Sequence, residues 1–163
     1  MTSKIGDRLP KVEFNVMTAD GQQKVSTDVV FAGRKVVLFG VPGAFTPTCS
    51  VNHLPGFLSH FDEIKAKGVD TIACTAVNDV HVMNAWAKNS GADGKIMMLA
   101  DGNATFAKAC GLEKDLNAAG MGRRSYRYSM FVDDGVVNPL KGDAKSGVNG
   151  SGCEPVLEQH ENS

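Results

Sequence analysis

The chain has 163 residues, 42% of them hydrophobic and 21% charged, which suits one ordinary folded domain and lies far from the composition of a disordered chain. Its 17 basic and 18 acidic side chains leave a formal net charge of -1, so no overall field draws it to nucleic acid or to an anionic membrane. The opening MTSKIGDRLP carries no apolar signal core, and no run reaches the roughly 18 apolar residues of a membrane span. A single domain over residues 1–163, working in the cytosol, is expected.

Near the start, VEFNVMT alternates apolar and polar residues, Ala19-Asp20-Gly21 makes a turn and QKVST returns, which predicts a peripheral hairpin arm. KVVLFGV is a continuous apolar run of strand length, expected to be central and covered on both faces. After the loop PGAFTPT, the apolar residues Leu54, Phe57, Leu58, Phe61 and Ile64 recur at helical spacing, with Pro55 placed to kink the helix or divide its first turn from the rest and Gly68 as the stop. DTIACTAV is the next buried strand, and Asn78-Asp79 opens a helix through Val82, Met83, Trp86 and Ala87. IMMLA is a third strand ending at Asp101-Gly102, residues 105–110 form a short helix, and RYSMFV, Asp134-Gly135 and VVNPL read as a hairpin. Parallel units feeding an antiparallel pair predict an α/β sandwich. Residues 141–152 are polar and rich in Gly, Ser and Asn; beyond them only Val156 and Leu157 suggest a last helical turn, so residues 141–163 form the least defined part.

Four cysteines, Cys49, Cys74, Cys110 and Cys153, are widely spaced, with no CxxC or CxxH pair to suggest zinc or a dithiol. Each is therefore a buried filler or a reactive group. Cys110 reads as packing, as do Trp86, Met83, Met97 and Met98. Cys49 differs by context: VPGAFTPTCS puts it just after a central strand and at the start of a helix. Free backbone N–H groups and the helix dipole favour an anion there, so the thiol ionises more readily, and the thiolate is the nucleophile. Thr46, three residues earlier, can bring a hydroxyl to the sulfur or to a substrate oxygen, and Pro42 stiffens the loop. An arginine from a distant strand would stabilise both the thiolate and a departing oxygen, and Arg127 in RYSMFV is the candidate. Arg123 and Arg124 form a basic pair that reads as a solvated turn. His53, four residues after Cys49, could in principle make a cysteine–histidine pair, but a dipole-stabilised thiolate needs no general base.

The string PGAFTPTC, with Pro42, Thr46 and Cys49 in fixed spacing, resembles the peroxiredoxin active-site motif. The wider VVLFGVPGAFTPTCS, CTAVNDVHVMNAWA, LADG and RSYRYSMFVDDG resemble the type II, or atypical two-cysteine, branch over about residues 5–140. The resemblance implies a thioredoxin-like α/β sandwich: a central mixed sheet flanked by helices, with an N-terminal β-hairpin. It also implies thiol peroxidase activity on hydrogen peroxide and alkyl hydroperoxides, serving antioxidant defence and redox homeostasis. Cys49 would be the peroxidatic cysteine, oxidised to sulfenic acid; Thr46 and Pro42 would line the pocket, and Arg127 would be its arginine. Arg124 matches a position where relatives often carry arginine. The resolving thiol is left open between Cys74, Cys153 and an external glutathione, glutaredoxin or thioredoxin. No metal or other cofactor is called for, and a homodimer packed beside Phe45 is expected. Alternative readings are a redox-sensing binding protein of thioredoxin fold and a general disulfide reductase. Thr46 stands where such a reductase needs the first cysteine of its CxxC.

Overall fold

The computed structural model describes residues 8–46 and 54–143, with the side chains of the last strand described through Val137. Strands β1 (Glu13–Thr18) and β2 (Gly21–Ser26) pair antiparallel, with Thr18 opposite Gly21. The Thr18 hydroxyl accepts from the Asp20 N–H at 3.1 Å and donates to the Gly21 carbonyl at 2.9 Å, which fixes the turn. A short helix α1 (Thr27–Phe31), not predicted, follows because the Ser26 hydroxyl caps it by accepting from Val29 N–H. Strand β3 (Lys35–Val41) comes next, as expected from its apolar run.

The predicted helix after the loop is two helices, α2 (Leu54–Ser59) and α3 (Phe61–Ala66), broken at His60. The break falls not at Pro55, which a first turn tolerates, but where Ser59 turns its hydroxyl back onto the Pro55 carbonyl at 2.9 Å. Strand β4 (Thr71–Ala76) leads into α4 (Val80–Ser90), capped by Asp79 accepting from Val82 N–H at 2.9 Å and ended by Gly91 at φ 80. Strand β5 (Met97–Ala100) and helix α5 (Thr105–Ala109) follow. A small hairpin that the sequence did not announce comes after them, β6 (Glu113–Leu116) and β7 (Gly122–Ser125) around a single 3-10 turn. The chain then runs through β8 (Arg127–Asp133) and β9 (Val136–Asp143), with Asp134 and Gly135 at φ 50 and 78 as the two positive-φ residues of a tight hairpin turn.

Seven strands make one sheet in the order β2-β1-β5-β4-β3-β8-β9, with β3, β4 and β5 parallel and the outer neighbours antiparallel. The N-terminal hairpin is thus not a peripheral arm: β1 joins the central sheet beside β5, with Asn15 opposite Ala100, and Phe14 is fully buried. Of the hairpin only β2 lies at the edge: β1 pairs its backbone with the flank of β5, and its apolar side is covered by the layer packed on the sheet, with the Phe14 and Phe106 ring centroids 4.9 Å apart.

Alternation along β3 divides the core. Val37, Phe39 and Val41 pack with Leu54, Phe57, Ile64, Met83 and Trp86 of α2 to α4. Val36 and Leu38 face the other layer, with Phe31 of α1 and Phe106 of α5. The ring of Phe39 stacks on Phe57 with centroids 4.1 Å apart. At Gly40 the strand gives its side-chain space to Tyr128 of β8; a Cβ there would lie 2.2 Å from the ring.

Candidate active site

The parallel strands all end at one edge of the sheet, and the loop that leaves β3 opens there. Within it the Thr46 hydroxyl donates to the Gly43 carbonyl at 2.7 Å, with the Thr46 N–H on the same oxygen at 3.4 Å. With its one proton engaged, the hydroxyl presents lone pairs, so it meets a substrate O–H as an acceptor. The turn forces Phe45 to φ 65 and leaves its ring 48% exposed, tilted against Trp86. Pro42 is half-buried at the exit from the strand.

Arg127 opens β8. The register sets Gly40 opposite Tyr128 and Phe39 opposite Ser129, which carries Arg127 to the level of Val41, where β3 gives way to the loop. Directly opposed residues share a face, so Arg127 lies on the side that carries α2 to α4. It is only 6% exposed, and a guanidinium so enclosed is not the solvated charge that an arginine on a hairpin strand usually is.

The basic pair splits. Alternation along β7 sends Arg123 outward, where it pairs with Glu113 at 3.6 Å. Arg124 turns inward, half-buried, and is not part of a solvated turn. Its Nη1 donates to the Val77 carbonyl at 3.1 Å and the Pro42 carbonyl at 3.5 Å, while Nε donates to Met121 O at 2.9 Å. A Cβ at Gly43 would sit 2.9 Å from that Nη1, so the glycine makes room for the guanidinium. On the other side, Asn78 Oδ1 accepts from Ala44 N–H at 2.9 Å. The sequence marks Asn78 only as part of a helix start; the doubled cap Asn78-Asp79, with one residue to spare once Asp79 caps α4, is the signal that points to its second role.

Cys74 is fully buried on β4, between Phe39 of β3 and Met98 of β5, and Cys110 is fully buried after α5. Cys49, His53, Cys153 and the terminal segment from residue 144 lie outside the described residues. Behind the site, Asp101 is 5% exposed and burial pushes its carboxyl pKa up, against the lowering effect of backbone N–H groups from Phe106, Ala107 and Thr105. Burial also holds the Tyr128 phenol well above its usual value. Among the described residues, no group of three or more His, Cys, Asp or Glu side chains could hold a metal ion. A cleft of about 390 Å³ lies at the opposite ends of β4 and β5, walled by Met17, Met83, Met97 and Met98 and rimmed by Lys65 and Lys95. Among the described residues, none of the predicted site residues Pro42, Thr46, Cys74 and Arg127 lines it.

The chain matches the Redoxin family over residues 4–152. It is 46% identical over 162 residues to the chloroplastic peroxiredoxin-2E-2 of Oryza sativa subsp. japonica, covering 96% of this chain and 72% of that one. The chain belongs to the type II peroxiredoxins. To peroxiredoxin-2C of the same plant it is 44% identical over 155 residues, covering 94% of this chain and 96% of the relative. The crystal structure of reduced Prx3 in complex with H2O2 from Vibrio vulnificus superposes with a TM-score of 0.93 at 46% identity, over 96% of this chain and 98% of that one. This peroxiredoxin has the thioredoxin-type sheet of its family and is a thiol peroxidase.

Proposed function

We propose that this peroxiredoxin reduces hydrogen peroxide and small alkyl hydroperoxides through Cys49. The supporting observation is the buried Arg127, standing where β3 opens into the loop that carries Thr46 and leads, three residues on, to Cys49. The Cys49 thiolate attacks one peroxide oxygen, the O–O bond breaks, and the other oxygen leaves with the bonding pair and takes a proton as water or alcohol. Cys49 is left as a sulfenic acid. Arg127 offsets the negative charge first on sulfur and then on the departing oxygen. Thr46 accepts from the peroxide O–H and orients it, and Pro42 holds the loop.

A thiol then attacks the sulfenic sulfur, releasing water and forming a disulfide, and a second thiol returns Cys49 to its reduced form. The complete burial of Cys74 supports an external glutathione, glutaredoxin or thioredoxin as the first attacker, since Cys74 would need local opening of β4. The exposed Phe45 ring supports a homodimer whose second copy packs beside the loop.

The test is steady-state peroxide consumption with glutathione plus glutaredoxin, or with thioredoxin, in wild type and in Cys49→Ser, Cys74→Ser and Cys153→Ser. Loss confined to Cys49→Ser supports an external resolving thiol. Loss of recycling in Cys74→Ser or Cys153→Ser names an internal one. Full activity in Cys49→Ser would sink the assignment, and a wild type that oxidises once without turnover points to a redox sensor.

A further inference from the structure

The loop at residues 42–46 has few bonds of its own. Thr46 closes onto Gly43, and Phe45 sits at φ 65, a conformation that costs a residue with a Cβ about 1–2 kcal/mol. Such a backbone keeps one shape only where its surroundings over-determine it. Two side chains from distant elements do so here. Asn78, between β4 and α4, accepts the Ala44 N–H at 2.9 Å. Arg124, on β7, ties the Pro42 carbonyl to the Val77 carbonyl with one nitrogen and is itself anchored on Met121 O by another.

We propose that Asn78 and Arg124 are positioning residues that brace this loop at two points and so set the orientation of Thr46 and the path of the chain towards Cys49. The inference rests on the Cys49 peroxidase reading. In that reading neither side chain acts on the peroxide; each acts through backbone. Asn78 supplies an acceptor that water could replace only loosely. Arg124 supplies a planar fork that reaches two carbonyls and a third anchor at once, which the single ammonium of lysine cannot reproduce.

The experiment uses the full chain with Asn78→Ala, Asn78→Asp, Arg124→Lys and the double variant Asn78→Ala/Arg124→Lys. Four quantities are followed: amide hydrogen exchange at Ala44, the second-order rate of peroxide reduction, the pH profile of Cys49 alkylation by iodoacetamide, and the urea midpoint. Asn78→Ala and Arg124→Lys are each expected to speed exchange at Ala44 and to slow peroxide reduction by about 10- to 100-fold, the scale of a misplaced reacting group. Their alkylation profiles should move to higher pH while the urea midpoint stays near wild type. Asn78→Asp, which keeps the acceptor, should keep Ala44 protected. Because both residues hold one element, the double variant should lose much less than the product of the two single effects.

Unchanged Ala44 exchange in Asn78→Ala overturns the brace, as does faster exchange with an unaltered peroxide rate and alkylation profile. If Asn78→Ala does not fold, Arg124→Lys decides by the same exchange, rate and alkylation readouts. If wild type consumes no peroxide, the peroxidase reading fails; the brace is then still decided by Ala44 exchange and Cys49 alkylation.

Discussion

Two parallel strands of the sheet, β3 and β5, each run into a loop that holds a non-glycine residue in the left-handed region, Phe45 at φ 65 and Ala104 at φ 59. The loops solve the same problem differently. The β5 loop closes on itself: the buried Asp101 carboxylate accepts from the N–H groups of Phe106 and Ala107 at 3.0 Å each, and Ala104 N–H returns to the Asp101 carbonyl at 2.9 Å. Its own carboxylate satisfies the amide end of the next helix, and Ala104 is 4% exposed. The β3 loop takes its polar partners from Asn78 and Arg124 and leaves Phe45 half in solvent. A loop that satisfies itself is a corner of the structure. A loop satisfied from outside has its shape set by several strands together, which suits the placing of reactive groups.

That contrast can be broken first at Gly40, where β3 gives up a side chain and β5 has no such gap. Gly40→Ala would drive a methyl into the enclosed Tyr128 ring, and the expected loss is about 3 kcal/mol or somewhat more, read by urea unfolding. A loss below about 1 kcal/mol would mean that β3 and β8 can separate cheaply at this point.

On the β5 side, Asp101→Ala removes both N–H acceptors, with an expected cost of about 2 kcal/mol in stability and an unchanged peroxide rate per folded molecule. Its pH dependence sharpens the point. Burial raises the folded pKa above the ordinary 3.8, so the folded state binds the proton more tightly than the unfolded chain. The stability linked to holding that proton is therefore fully present below that value and is lost as pH rises through the raised folded pKa. Asp101→Asn should lack this falling limb when unfolding free energies are compared across the mildly acidic range; an identical limb in both proteins would refute it.

Replacing the strained residues compares the loops directly. Ala104→Gly should gain up to about 1 kcal/mol, relief of left-handed strain less the entropy of glycine, with no change in activity. Phe45→Gly relieves similar strain but also loses the contact with Trp86, so stability should hardly move while peroxide reduction slows. Equal kinetic behaviour of the two variants would erase the distinction. The smallest effect is expected at Ser129, whose fully buried hydroxyl has no hydrogen-bond partner among the described residues. Ser129→Ala should shift stability by no more than about 1 kcal/mol, in the stabilising direction, as measured by the thermal midpoint.

Much of this was legible in the chain because it is local. The apolar runs of β3 and β4, the spacing of Met83, Trp86 and Ala87 in α4, and the two positive-φ residues between β8 and β9 all follow from short-range pattern, although the fourth buried position of α4 is Val80 and not the expected Val82. So does the grouping of Pro42, Thr46 and Cys49, three positions within one short segment. The break at His60 was hidden because a serine hydroxyl competing for a helix carbonyl leaves the apolar spacing unaltered. The β6–β7 hairpin was hidden because its short strands carry little apolar alternation.

The sequence by itself determined the alternation of strands and helices, the family, and the residue types offered to the chemistry, since each is written in neighbours along the chain. Tertiary structure alone decided that Arg124 turns inward while Arg123 pairs at the surface, that Arg127 is enclosed beside the end of β3, and that Asn78 holds Ala44. The bonds concerned join residues 34, 47 and 82 positions apart. No local periodicity encodes such a pairing; it exists only once the main sheet has set β8 and the end of β4 beside β3 and the separate β6–β7 hairpin has brought Arg124 to the same edge.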